Sequence, residues 1–160
     1  SPPGHSSAAS DVYKRQNSDG QHPTQPTEAT MAEAMRLALR DAELDPAAVG
    51  YVNAHGTATE IGDIAESNAT MAVFQRPVPA SSLKSYLGHT LGACGALEAW
   101  MTIEMVKDGW AAPTANLVNV DERCAALDYI MGAARSLETD YVMSNNFAFG
   151  GVNTSLIFRL

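Results

Sequence analysis

Cysteine is scarce in this chain, with only Cys94 and Cys124 among 160 residues. Two isolated thiols build neither a disulfide framework nor a metal-ligand spacing, so a reducing cytoplasm is the expected setting. Long apolar runs are missing too. None approaches the roughly 18–20 residues that a bilayer-spanning helix needs, and no signal peptide opens the sequence. There is no excess of cations: a net charge of −8 argues against nucleic acid or an anionic membrane as partner. Internal repeats are absent as well. What remains is an ordinary globular composition, 46% hydrophobic and 18% charged, in a length that suits one domain with a core.

The chain divides by composition. Residues 1–25, rich in Ser, Pro, Gly, Gln and His without apolar periodicity, read as a leader of loop or disorder. Within it, Ser7 to Gln16 resembles a translated adaptor scar, which would place the start of the natural protein further upstream. Residues 26–160 read as one α/β domain in which helices alternate with short strands. Thr30 and Glu33 match a capping box, with Met31, Met35, Leu39 and Ala42 on one face of the helix that follows. Asp45-Pro46 ends that helix, Gly50 to Ala54 is strand-like, and Asp63 to Phe74 is a second helix with Ile64, Ala65, Ala69, Ala72 and Val73 facing a core. A third helix, Gly92 to Lys107, is apolar nearly all round and belongs inside an assembly. Gly109 suits its C-terminal cap. Tyr141 to Ser144 and Asn153 to Phe158 read as strands around a Gly-rich turn.

Three clusters carry the chemistry, each at a junction of strand, loop and helix. They are Asn53 to Thr59 with Gly62 to Glu66, then Lys84 to Gly95, then Ser144 to Asn153. His55 and His89 each follow a short strand and are flanked by glycine, and Lys84 precedes His89 by five residues. Glycines let backbone approach a ligand closely. A histidine pair can donate two Nε2–H bonds to one oxygen, which suits a developing enolate. A nearby lysine favours neutral imidazoles by like-charge repulsion and orients a carboxylate. Metal binding is the competing reading, disfavoured because no Cys or carboxylate sits at ligand spacing from either histidine.

Together these clusters resemble the condensing enzymes of the thiolase superfamily, and among them the β-ketoacyl-acyl-carrier-protein synthases of fatty-acid and type II polyketide pathways. The pattern His-Gly-Thr-x-Thr-x-x-Gly-Asp-x-x-Glu runs from His55 to Glu66. Lys-x-x-x-Gly-His-Thr-x-Gly-Ala-x-Gly-x-x-Glu runs from Lys84 to Glu98, and Asn-x-Phe-x-Phe-Gly-Gly-x-Asn from Asn145 to Asn153. The likeness covers roughly residues 17–160. It implies the C-terminal half of a thiolase-like α/β fold, a mixed sheet with layered helices, whose N-terminal half lies outside this chain.

The resemblance also implies roles. His55 and His89 would bind the malonyl thioester oxygen, and Lys84 would set the electrostatics of the site. Asp63 and Glu66 fall on the family's acidic pair, with Glu66 the expected partner of Lys84. Thr57 and Thr59 would bond the phosphopantetheine arm, and Phe147 would be a gate whose N–H helps form an oxyanion hole. No cofactor is implied, because substrates ride on the phosphopantetheine of acyl carrier protein. That carrier is the expected partner, with a homodimer or a paired synthase subunit in the full-length protein. The implied reaction is a decarboxylative Claisen condensation through a cysteine thiolate.

Neither cysteine fits that thiolate. Cys94 falls in the helix after the second histidine, where a small buried hydrophobe is expected, and Cys124 has no motif around it. The isolated chain is therefore expected to be inactive in condensation. Two alternatives stay open: a non-catalytic partner subunit resembling chain-length factors, and a degradative thiolase.

Overall fold

A computed structural model describes residues 11–18, 27–148 and 151–160. Among the described residues, fourteen helical or extended elements follow one another. They are β1 (Asp11–Ser18), α1 (Glu28–Asp41), a 3-10 turn at Pro46–Ala48, β2 (Val49–Asn53), α2 (Glu60–Phe74), β3 (Pro79–Ser81) and α3 (Lys84–Leu87). A 3-10 turn at Leu91–Ala93 precedes α4 (Cys94–Lys107), β4 (Trp110–Ala111), β5 (Asp128–Tyr129), β6 (Arg135–Ser136), β7 (Tyr141–Phe147) and β8 (Val152–Arg159).

Six strands form a mixed sheet in the order β1-β8-β7-β2-β3-β5, while β4 and β6 pair separately. β7, β2, β3 and β5 run parallel, and β8 lies antiparallel between β7 and β1. Side chains alternate between the two faces of a strand, and here each face has its own core. Val52, Met143 and Ile157 face Met31, Met35 and Leu39 of α1 and Ala69, Val73 and Phe74 of α2. Their neighbours Tyr51, Val142 and Phe158 face α4 through Val106, with Ala99 and Ile103 packed alongside. The result is helix, sheet, helix, as the implied fold requires.

Helix and strand periodicity placed α1, α2, β2, β7 and β8 within a few residues, but α1 starts behind Thr27, so Thr30 lies in its first turn. Its hydroxyl donates to Thr27 O at 3.1 Å and does not head the helix. Ala72, expected toward the core, is exposed, and the carboxylate of Glu66 is buried in its stead.

The leader differs more. Asp11 to Ser18, expected as loop or disorder, forms the edge strand β1 in register with β8 from Asp11↔Arg159 to Ser18↔Val152. Backbone pairing accounts for this, because most of its side chains are exposed. Tyr13 packs on the core, Asn17 donates to Thr30 O at 2.7 Å, and Arg15 pairs with Asp41. A strand held mainly through its ladder needs no apolar alternation to announce it. The rest of the leader, 1–10 and 19–25, lies outside the described residues, as do Phe149 and Gly150 of the third cluster.

The helix expected to be apolar all round also turns an unexpected side inward. α4 buries Cys94, Glu98, Thr102, Met105 and Val106, spaced for one helical face, and leaves Trp100 62% exposed.

Candidate active site

The three clusters converge because β2, β3 and β7 are parallel neighbours, so the loops leaving their C-terminal ends share one edge of the sheet, where ligands of open α/β sheets bind. His55 follows β2, Lys84 and His89 follow β3, and Asn146 and Phe147 end β7. Buried polar bonds tie the loops together. Asn53 Nδ2 donates to Ser144 Oγ at 3.1 Å, Ala54 N to Ser81 O at 2.9 Å, and Ser82 Oγ to Gly56 O at 2.9 Å. Gly56 must be glycine here: its φ is +41° and a Cβ would stand 2.6 Å from Ser82 Cβ.

The two imidazoles meet edge to face, with ring centres 5.4 Å apart and planes at 89°. Leu91 N–H donates to His89 Nδ1 at 3.2 Å, which leaves the proton of neutral His89 on Nε2. Burial above all, then the positive charge of Lys84 and the neighbouring His89, lower the His55 pKa to about 3, so His55 is neutral at physiological pH.

Lys84 departs from expectation in its partner. Its Nζ lies 2.6 Å from Glu98 Oε1, with both side chains almost wholly buried. Glu66 is engaged elsewhere: its oxygens accept the N–H groups of His55 at 2.8 Å and Gly56 at 2.9 Å. Complete burial raises Glu66 to about 7 against the pull of those two donors. Glu66 therefore shapes the loop that carries His55, and Glu98 balances the lysine. Glu98 had a sequence signal, since it closes the motif that begins at Lys84.

Asp63 stands at the first turns of α2, held by the N–H groups of Ala58 and Thr57, while burial raises its pKa. Ala58 takes a left-handed φ of +58°, and the hydroxyls on either side, Thr57 and Thr59, meet at 3.0 Å. Phe147 lies with its ring centre 6.1 Å from that of His55. It is 6% exposed within the α1/α2 core, so it walls the imidazole, and a gating swing would have to extract it from that core.

Two clefts adjoin. One of about 640 Å³ is lined by Thr57, Thr59, Lys84, His89, Thr114 and Asn116 among others. The second, about 750 Å³, is bounded by His55, His89, Cys94, Asn146 and Phe147. Thr57, Thr59, Asp63 and His89 line both. Cys94 is 7% exposed, and burial raises its thiol pKa, the opposite of what an attacking thiolate needs. Among the described residues no three His, Cys, Asp or Glu side chains gather to hold a metal.

The family model for the beta-ketoacyl synthase C-terminal domain matches residues 6–118. The chain belongs to the β-ketoacyl synthase family. It is 42% identical over 144 residues to the 3-oxoacyl-[acyl-carrier-protein] synthase 2 of Coxiella burnetii, a match covering 87% of this chain and 34% of the relative. It thus spans about a third of the length of that curated relative. Among solved structures, a β-ketoacyl synthase from Burkholderia phymatum superposes with a TM-score of 0.90 at 67% identity, over 92% of this chain and 36% of that one. A type II polyketide ketosynthase, solved bound to a hexaketide and in complex with its acyl-carrier protein, superposes at 0.87 with 30% identity, over 92% and 37%. The thiolase-like, C-terminal-half architecture expected from the motifs is the one observed.

Proposed function

We propose that this chain supplies the decarboxylating part of a β-ketoacyl synthase site, acting on malonyl thioesters of acyl carrier protein in fatty-acid or polyketide synthesis. The observation that carries this reading is the neutral, edge-to-face pair His55 and His89. Loss of CO₂ from a malonyl thioester leaves its electron pair as an enolate, with negative charge on the thioester oxygen. Two uncharged Nε2–H donors stabilise that oxygen without protonating it, and each such donor contributes about 10²–10³-fold in rate. Lys84, paired with Glu98, adds its positive charge to the burial that keeps His55 uncharged. Asp63 and Glu66 hold the loop that carries His55. Thr57 and Thr59 offer hydroxyls to the phosphopantetheine arm in the cleft they line, and Phe147 walls the malonyl side. The polyketide relative solved with its acyl-carrier protein supports that carrier as partner.

The acyl chain would be carried by a thiolate contributed by the rest of the synthase, since Cys94 is buried with a raised pKa. The 160-residue chain alone is therefore expected to transfer no acyl group. Free thiols at Cys94 and Cys124 fit a reducing cytoplasm. The test is replacement. Substituted for the matching segment of the Coxiella burnetii synthase, this sequence is expected to support condensation of acyl and malonyl thioesters. A folded chimera without condensation would refute the assignment.

A further inference from the structure

Asn146 stands between two motif residues and has no role in the reaction described above. Its neighbour Asn145 points to the α1 side, accepting Ser155 Oγ–H at 2.8 Å and donating to Met35 Sδ. Strand alternation sends Asn146 to the opposite face, against the first turn of α4. There the Cys94 thiol donates to Asn146 Oδ1 at 3.0 Å. A Cβ on Gly95 would touch Asn146 Nδ2 at 3.5 Å, so the amide is packed from that side as well. The same side chain borders the second cleft together with the His55 ring, where it favours a ring N–H. His55 Nδ1 is buried without a partner among the described residues, so Nε2 is the ring nitrogen open to the Asn146 amide.

An amide oxygen has two lone pairs, and Oδ1 can accept the thiol S–H and a ring N–H together. That arrangement puts the imidazole proton on Nε2 and leaves Nδ1 a bare lone pair. Buried acceptors without partners are tolerated better than buried donors without them. His89 reaches the same tautomer by a different device, the Leu91 N–H at its Nδ1.

We infer that Asn146 is a positioning residue: clamped by Cys94, its amide oxygen holds His55 in the Nε2–H tautomer and in the plane that faces His89. An arriving thioester oxygen would then take over a hydrogen already directed into the cleft. The inference rests on the decarboxylation reading for its purpose, but the tautomer is measurable without turnover. It also gives the Cys94 thiol a function as a hydrogen-bond donor, which neither a nucleophile nor a plain hydrophobe would have.

The test is long-range ¹H–¹⁵N correlation on the full chain with ¹⁵N-labelled histidine. Wild type is expected to show His55 as the Nε2–H tautomer. Asn146→Leu, close in shape, is expected to move His55 to a mixture of tautomers while the His89 signals stay in place. Cys94→Ala should produce a smaller shift of the same kind, and Cys94→Ser, which restores a donor, should return the wild-type spectrum. If Asn146→Leu fails to fold, the Cys94→Ala and Cys94→Ser pair decides. An unchanged His55 spectrum in Asn146→Leu or in Cys94→Ala overturns the inference, as does a wild-type Nδ1–H tautomer. Failure of decarboxylation in the chimera with these spectra as expected would refute the reaction and leave the positioning role standing.

Discussion

Replacing Glu98 with alanine is expected to cost more stability than any exposed substitution in the molecule, because it leaves Lys84 charged and unpaired inside the protein. The two side chains are 2.6 Å apart, at 4% and 2% exposure. At that separation and an effective dielectric near 20, their attraction is about 6 kcal/mol. Desolvating each ion costs several kcal/mol, so the intact pair is nearly neutral relative to a well-packed apolar pair, whereas breaking it costs about 3–5 kcal/mol. With a urea dependence of about 2 kcal/mol per molar, the midpoint for Glu98→Ala should fall by about 1.5–2.5 M. Lys84→Met combined with Glu98→Leu should recover most of the loss. The same double variant removes the positive charge facing His55, so the imidazole pKa should rise from about 3. Urea titrations of the wild type, both single variants and the double variant measure the cycle. A Glu98→Ala cost below about 1 kcal/mol, or a double variant as unstable as the singles, would refute a desolvated pair.

Other outcomes follow from the same geometry. Glu66→Ala strands two N–H groups, at His55 and Gly56, and should cost about 2–4 kcal/mol at neutral pH, read by chemical denaturation. Burial holds Glu66 at about 7 against an ordinary 4.5, so the native state keeps an extra proton across that range and stability from this group falls as pH rises. His55, held at about 3 against 6.5, acts in the other direction, with stability lost as pH falls below 6.5. The two slopes oppose each other from about 4.5 to 6.5. Urea midpoints should therefore be flat across that window in the wild type and rise with pH in Glu66→Gln; a rising wild-type curve would contradict the assignments. Met35, fully buried on the inner face of α1, should cost about 2–5 kcal/mol when changed to alanine. Incubation with acyl-carrier thioesters should leave the unmodified chain unacylated by mass spectrometry, and an acyl group on Cys94 would contradict the reading of that thiol.

Much of this fold and site is legible in the sequence, for specific reasons. α1 shows a clean apolar face in Met31, Met35 and Leu39, and β7 and β8 carry β-branched and aromatic residues around a Gly-rich turn. Flanking glycines, preceding strands and the family motifs grouped His55, Lys84 and His89 in the sequence, and the parallel pairing of β2 with β3 and β7 is what brings those loops together. Other features were hidden. β1 is polar and owes its place to backbone pairing with β8. The Lys84 partner was misassigned to Glu66 because nearness in motif order says nothing about helix rotation. It is α4 that turns Glu98 inward, while Glu66 faces the backbone of His55. Asn146 was invisible for a related reason: its significance comes from its contact with the Cys94 thiol, 52 residues away in sequence.

The central claim is that His55 and His89 serve decarboxylation, while acyl loading belongs to the rest of the synthase. The most direct measurement separates the two partial reactions in the Coxiella burnetii chimera, following CO₂ release from malonyl-carrier protein and acyl loading from acyl-carrier protein. His55→Ala and His89→Ala are each expected to slow CO₂ release about 10²–10³-fold while acyl loading stays within a few-fold of the unsubstituted chimera. CO₂ release that survives both substitutions, or acyl loading that falls in step with it, would contradict the account.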